Sequence, residues 1–385
     1  MPPPPHDLRF AWRSPQGVMV HGRGSWPSIT ALEHAVRDAR PFLVGPEEAS
    51  IVADTSDALF YTRSGGTTGP AKTIRRTHAS WIASFDVNQS VLGLTGADKY
   101  GVLGDIAHSL ALYGVLEGAH LGTEVHSFSG LRPREQANAL RDAEITVLYT
   151  TPTQLRLLCN TGIDLPSLRN ILCGGGRLDA ALFEQIQSAC PNAQLREFYG
   201  ASETSFIAWG GRGTPLGSVG QAYPHVSIRI DAPQGQTGEI WVKSPYLFDG
   251  YANGGCDETR WSDGYLAVGE IGRLDARGHL TVLGRKNRMV TIADQNVFPE
   301  DIESYLLGWS QVRHCAVMPR VDPVRGSVLV AVIQGEGTVD LREACRQHFG
   351  PLASPRAFYW HEDFPLTVAG KPDLSAIGIW LEDQT

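Results

Sequence analysis

The run Tyr61-Thr62-Arg63-Ser64-Gly65-Gly66-Thr67-Thr68-Gly69-Pro70-Ala71-Lys72 has the residue types of a phosphate cradle. Its glycines permit tight backbone turns and close approach of an anion. Ser and Thr hydroxyls and free backbone N–H groups donate to phosphate oxygens, and Lys72 adds positive charge. It is not the P-loop of nucleoside triphosphatases, in which the Lys directly follows a Gly, because Pro70 and Ala71 intervene here. Taken alone, the run reads equally as a glycine-rich turn between strands.

The elements that position this run are legible around it. Ala58-Leu59-Phe60 reads as the end of a strand leading into it. Apolar runs at 145–149 and 168–172 read as buried strands, and a helical pattern covers 178–188. Strands alternating with helices argue for an α/β sheet. After about residue 215 the texture changes to short strands at 226–230, 239–242 and 279–283, which is a β-rich subdomain. From Asn287 a compact α+β pattern follows, with a helix over 299–307 and strands near 315–317 and 328–332. The fold class is therefore α/β: a large unit with mixed sheets and a β-rich subdomain, plus a small α+β C-terminal unit. The boundary is placed at 284–287, dividing the chain into 1–284 and 285–385.

Composition narrows the function. The chain has 385 residues and a net charge of −8, with no long basic block, so nucleic acid is not an expected partner. Six Cys are scattered without a CxxC pair, which indicates neither a zinc site nor a disulfide framework. No apolar stretch is long enough to span a bilayer. The opening Met1-Pro2-Pro3-Pro4-Pro5 has no signal-peptide character and reads as a short extended tail. A reduced, cytoplasmic enzyme is the expectation.

Six segments fall in order: the loop ending at Lys72; Asp105-Ile106-Ala107-His108-Ser109-Leu110; Cys173-Gly174-Gly175-Gly176; Phe198-Tyr199-Gly200-Ala201-Ser202-Glu203-Thr204; a stretch from Gly264 through Glu270 to Gly284-Arg285-Lys286; and Pro365-Leu366-Thr367-Val368-Ala369-Gly370-Lys371-Pro372-Asp373. This series resembles the adenylate-forming superfamily of acyl- and aryl-CoA synthetases, peptide-synthetase adenylation domains and luciferase. The resemblance covers roughly residues 45 to 375. It implies a two-step reaction. A carboxylate attacks the α-phosphorus of ATP, giving acyl-AMP and pyrophosphate, and a thiol of coenzyme A or of a carrier-protein phosphopantetheine then takes the acyl group. An anionic nucleophile must approach an anionic nucleotide, so Mg²⁺, Lys and preorganised donors must offset the repulsion.

The resemblance also implies roles. Thr67, Thr68, Gly69 and Lys72 hold the β- and γ-phosphates, although Pro70-Ala71 and Ser64-Gly65-Gly66 depart from the family's usual order. Gly174, Gly175 and Gly176 line the adenine, and Tyr199, with Gly200 beside it, stacks on the other face. Ser202 donates to the α-phosphate and Glu203 binds Mg²⁺. Glu270 stands where the family has an Asp on the ribose hydroxyls, and Arg285 reaches ribose and phosphate. Lys371 bridges the carboxylate, ribose and α-phosphate in the transition state. The small domain is expected to be mobile, hinging at Lys286 or Asn287. The stretch 292–296 lacks the paired glycines of many CoA ligases, and Asp294 narrows that passage.

Ala107-His108-Ser109 occupies the family's acid-pocket motif, with His108 and Ser109 as substrate-binding residues. Ser109 supplies no counter-charge for an α-ammonium group, and Asp105 is out of register by four positions, so an aryl or small acyl acid is expected. His108 reads alternatively as a packing histidine. An acyl carrier protein is a candidate partner. The stretch before the phosphate loop is short for the family, with residues 28–36 as a remnant helix. Exposed sheet surface then makes a homodimer the expectation. Two alternatives stay open: an adenylate passed to an amine, or a non-catalytic nucleotide-binding relative.

Overall fold

A computed structural model describes residues 8–22, 26–44, 49–51, 58–63, 72–176, 178–215, 217–253, 255–292, 295–309, 311–322, 326–336, 340–367 and 371–384. Thr67, Thr68, Gly69 and Asp294 lie outside the described residues.

The central sheet has eight strands. In spatial order they are Val18–Val20, Glu124–Ser127, Lys99–Val102, Val147–Thr150, Asn170–Gly174, Gln194–Ala201, Ser205–Gly210 and Gln221–Ala222. The first six run parallel and the last two pairings are antiparallel. Every residue of Val147–Thr150 and Asn170–Gly174 is buried, as expected of strands covered on both faces.

Helix limits follow local chemistry. The Thr77 hydroxyl accepts the Ser80 N–H at the start of His78–Leu92, and Gly93 ends it at φ 64°. Pro152 follows the Thr151 cap of Pro152–Cys159, whose Gln154 closes a capping box.

A five-stranded sheet carries the residues around the phosphate loop. It includes Leu59–Arg63, Thr73–Thr77 and the two-residue strand Gly250–Tyr251. Tyr61, Thr62 and Arg63, which the sequence reading put at the head of the loop, are the end of a strand whose first four residues are buried. A second five-stranded sheet is built from Ser227–Ile230, Gly238–Lys243, Thr259–Ser262, Tyr265–Leu274 and Leu280–Arg285. This is the β-rich subdomain. One core cluster, with Phe10, Phe42, Phe60, Trp81, Tyr113 and Phe206, joins the central sheet to the sheet of Leu59–Arg63.

Beyond Arg285 the chain makes one 3-10 turn, Lys286–Arg288, then a hairpin of Val290–Ile292 and Gln295–Val297. The sheet of Val312–Asp322, Gly326–Gly335 and Ala357–Trp360 follows. Helix Pro299–Leu307 buries Ile302 and Leu306 against Val317 and Leu329. Helix Leu374–Glu382 buries Ile377 against Ala316 and Val332. Alternate residues of the strands thus face the two helices, which is the period-two rule. The α/β reading, with mixed sheets, holds. No helix among the described residues is long and apolar enough to cross a membrane.

Candidate active site

The site is centred on the turn between Gln194–Ala201 and Ser205–Gly210. Ala201 N–H donates to Thr204 Oγ1 at 3.0 Å, and Thr204 is fully buried. The Glu203 carbonyl accepts the Phe248 N–H at 2.8 Å. The turn presents Ser202 and Glu203, both half-buried. Gly200 lets the returning strand approach: a Cβ there would lie 1.9 Å from the Ser205 carbonyl oxygen. Ser205 itself takes the left-handed conformation, at φ 56°.

Glu203 Oε1 accepts the Tyr251 hydroxyl at 2.9 Å. Lys72 reaches the same place, its Nζ lying 5.6 Å from the Tyr251 ring centroid. Burial, then the Glu203 charge, pushes the Tyr251 phenol upward, so it donates rather than ionises. On the other side, Ser202 Oγ and Ser109 Oγ are 3.3 Å apart. Ser109 is the first residue of helix Ser109–Leu121, and His108 is its cap residue without a side-chain cap bond. An isolated parallel bridge joins His108 to Arg63 at the head of the phosphate loop. The geometry therefore brings His108, Ser109 and Ser202 together.

Tyr199 donates its hydroxyl to Glu270 Oε2. Glu270 and Arg285 are directly opposed in neighbouring strands. The Glu270 carboxyl is raised by burial, while Arg285 and then Lys371 pull it down. Lys371 is a largely exposed residue. Surrounding protein, then Arg285, lowers its ammonium pKa, and Glu270 and Glu203 oppose that. Its loop is held by Thr367 N–H to the Lys371 carbonyl at 2.7 Å. Lys371 thus shares its electrostatic surroundings with Arg285, Glu270 and Glu203 although 86, 101 and 168 positions separate it from them along the chain.

The three glycines at 174–176 divide. Gly174 is buried under the Phe198 ring, so a Cβ there would lie 2.3 Å from Phe198 Cζ. Its missing side chain makes room for Phe198. Gly175, at φ 85°, and Gly176 are exposed and offer the open backbone face.

Two polar residues escaped the sequence reading. Tyr251 reaches Glu203 only because Gly250–Tyr251 pairs with Arg75 and Ile74. Arg76 is 0 % exposed and donates to the Ser202 carbonyl at 2.6 Å. A signal for Arg76 exists in the pattern: along Thr73–Thr77 it shares a face with buried Ile74.

The donor set fits a nucleotide-held Mg²⁺. Among the described residues no group of three His, Cys, Asp or Glu side chains converges as a metal site. Mg²⁺ is commonly held by one or two carboxylates, waters and substrate phosphates, and Glu203 supplies one carboxylate.

The sequence pattern described as AMP-binding enzyme matches residues 13–252, and that described as AMP-binding enzyme C-terminal domain matches 301–371. An uncharacterised acyl-CoA ligase, YhfT of Bacillus subtilis, is 31% identical over 341 residues, covering 86% of this chain and 70% of its own. A 2-succinylbenzoate–CoA ligase of Bacillus licheniformis is 28% identical over 341 residues, covering 84% of this chain and 70% of its own. Among solved structures, the amide bond synthetase McbA of Marinactinospora thermotolerans superposes with a TM-score of 0.73 at 25% identity, covering 88% of this chain and 71% of that one.

Proposed function

The chain belongs to the AMP-binding enzyme family, whose members related to it are AMP-forming ligases, and on that premise we propose that it activates an aryl or small acyl carboxylic acid as its acyl-AMP and passes the acyl group to a thiol. The observation that carries this reading is the convergence of Lys371, Glu270, Arg285 and Glu203 beside the Ser109–Ser202 pair.

In this reading Lys72 neutralises the outer phosphates and Ser202 donates to the α-phosphate. Glu203 is the protein ligand of Mg²⁺, which offsets phosphate charge when bound. Glu270 accepts the ribose hydroxyls and Arg285 reaches the ribose and phosphate. Lys371 stabilises the charge that builds as carboxylate and α-phosphate meet. His108 and Ser109 border the acid. Gly175, Gly176 and Tyr199 flank the base. The hinge belongs to the same proposal. Lys286 and Asn287, in the turn after Arg285, let the unit 285–385 move against 1–284.

Coenzyme A is the favoured acceptor, supported by the CoA ligases among the relatives. A second reading, transfer to an amine, is supported by the likeness to an amide bond synthetase. A carrier protein, a homodimer and a cytoplasmic location complete the proposal. All six cysteines are free thiols, in keeping with a reducing compartment.

The test is acid-dependent pyrophosphate release with ATP and Mg²⁺ across benzoates, short and medium fatty acids and amino acids, with CoA, with simple amines, or with neither. Release for an aryl or acyl acid with CoA-dependent turnover supports the first reading. Amide formation without CoA use selects the second. Silence across the panel overturns both. Sedimentation equilibrium reads the oligomer, and a monomer removes the dimer.

A further inference from the structure

Arg76 presents a buried cation with an unusual set of partners. It is 0 % exposed, on the strand that begins immediately after Lys72. Nη1 donates to the Ser202 carbonyl at 2.6 Å and Nη2 to Ser205 Oγ at 2.7 Å. Nη2 also donates to the Tyr246 carbonyl. All three acceptors are neutral oxygens. Among the described residues no carboxylate lies within ion-pair distance of the guanidinium, and its Nε has no hydrogen-bond partner. Burial lowers the Arg76 guanidinium to about 9, with the nearby Glu203 carboxylate and then Tyr113 opposing that fall.

Burying a cation without a paired anion is costly. A chain that only needed to tie the turn down could use neutral donors, as Trp81 does when its Nε1 donates to the same Ser205 Oγ at 3.2 Å. The guanidinium instead bonds the Ser202 carbonyl from a fully buried position, next to the turn that the adenylation reading puts at the α-phosphate subsite. Water screens it weakly there, so its field acts on whatever anion occupies that subsite. It also crosslinks the turn to the segment that bonds the Glu203 carbonyl, through Tyr246 and Phe248. Ser205 is held at a positive φ by this clamp.

We propose that Arg76 is a positioning residue of the nucleotide site: its fork fixes the Ser202–Glu203 turn, and its buried charge is balanced by the phosphate of the bound nucleotide. The inference rests on the adenylation reading. It assigns Arg76 two separable jobs, geometry and charge. A neutral side chain loses both, whereas Lys keeps the charge and loses the fork.

The experiment compares wild type, Arg76→Gln and Arg76→Lys in acid-dependent pyrophosphate release, with Mg²⁺ titrations, and in calorimetric binding of Mg-ATP without acid. Arg76→Gln is expected to weaken Mg-ATP binding about tenfold and lower kcat about a hundredfold, leaving KM for the acid within about twofold. Arg76→Lys is expected to recover nucleotide binding to within about threefold of wild type while kcat stays about tenfold low. A purely structural role moves all constants together with the melting temperature and gives no recovery with Lys. That pattern overturns the proposal, as does wild-type binding and turnover in Arg76→Gln.

Should Arg76→Gln fail to fold, Ser205→Ala removes one acceptor of the fork. It should raise KM for ATP about threefold and leave that for the acid unchanged, and an unchanged KM for ATP overturns the proposal. The two failures are distinguishable. A wild type that binds Mg-ATP but releases no pyrophosphate with any acid sinks the adenylation reading, and the binding comparison still judges Arg76.

Discussion

The Tyr199 hydroxyl donates to the Glu270 carboxylate, and Glu270 lies directly across the strand pair from Arg285. A half-buried carboxylate thus accepts a phenol and feels the charge of a guanidinium on the neighbouring strand. Tyr199→Phe removes one donor from it. The net loss of a hydrogen bond to a charged group is roughly 1.5–3 kcal/mol. KM for ATP is expected to rise about tenfold if Glu270 takes the ribose, with KM for the acid unchanged. Steady-state kinetics in both substrates checks this, and an equal rise in both would remove Glu270 from the ribose.

Lys371→Ala should abolish adenylation while sparing nucleotide affinity. In the proposed mechanism the Lys acts where charge builds in the transition state, so kcat is expected to fall by about a hundredfold or more and the Kd for ATP to shift less than about threefold. Pyrophosphate release and equilibrium binding separate the two. Full activity in the variant would take Lys371 out of the mechanism.

Acid should loosen the N-terminal strap. The Phe10 N–H donates to His78 Nδ1 and the Ala11 N–H to His120 Nδ1, each at 3.0 Å. Burial lowers the two imidazoles to about 3 and about 4, from 6.5. The folded state therefore binds these protons less readily than the unfolded chain. The stability they contribute is present above pH 6.5 and is lost as pH falls through their folded values. Protection factors of the Phe10 and Ala11 amides, taken relative to intrinsic exchange at each pH, are expected to fall between pH 6.5 and about 4 before global unfolding, and uniform protection factors across that window would refute the pairing.

Glu117 has the opposite sign. It is 0 % exposed and accepts from Asn88 Nδ2 at 2.8 Å, Tyr149 OH at 2.5 Å and Tyr100 OH at 3.1 Å. Burial raises its carboxyl from 4.5 to about 7, with Tyr149, Asn88, Tyr100 and Tyr113 opposing. The folded state holds this proton more tightly, so stability from this group falls as pH rises from 4.5 to about 7. The change is on the order of 3 kcal/mol. Glu117→Gln should flatten that part of the stability–pH curve in urea unfolding. A curve of unchanged slope would mean that Glu117 is already ionised in the fold.

Gly174→Ala should destabilise the chain without touching a polar group. Its new Cβ would lie 2.3 Å from Phe198 Cζ, and overpacking of this kind costs roughly 1–3 kcal/mol. Phe198 also packs on Phe206, with ring centroids 4.7 Å apart, so its displacement propagates toward the turn. The melting temperature is the readout. A variant that melts with wild type would show that Phe198 swings away at no cost.

Much of the site was legible because its motifs are local. Ser202 and Glu203 share one turn, His108 and Ser109 one helix start, and the glycines at 174–176 one strand end. Short-range spacing carries such information, since turns and caps demand particular residues. Helix Pro299–Leu307 was legible for the same reason, with Pro at its first position. The differences arose where a neighbour from elsewhere in the chain decided. Gly174 looked like open backbone, and the Phe198 ring fills it. Tyr61 to Arg63 looked like loop, and pairing with Thr73–Thr77 makes them strand.

By itself the sequence determined the α/β alternation, the order of the motifs and the residue types that meet a nucleotide. Only the tertiary structure decided that Tyr251 supports Glu203, that Tyr199 holds Glu270 and that Arg76 lies buried against the Ser202 carbonyl. The physical reason is that strand pairing and burial join residues far apart in the chain. A strand's two-residue period tells which face a side chain takes. What stands against that face depends on register across the whole sheet, and one position of slip would turn Arg76 to the other side.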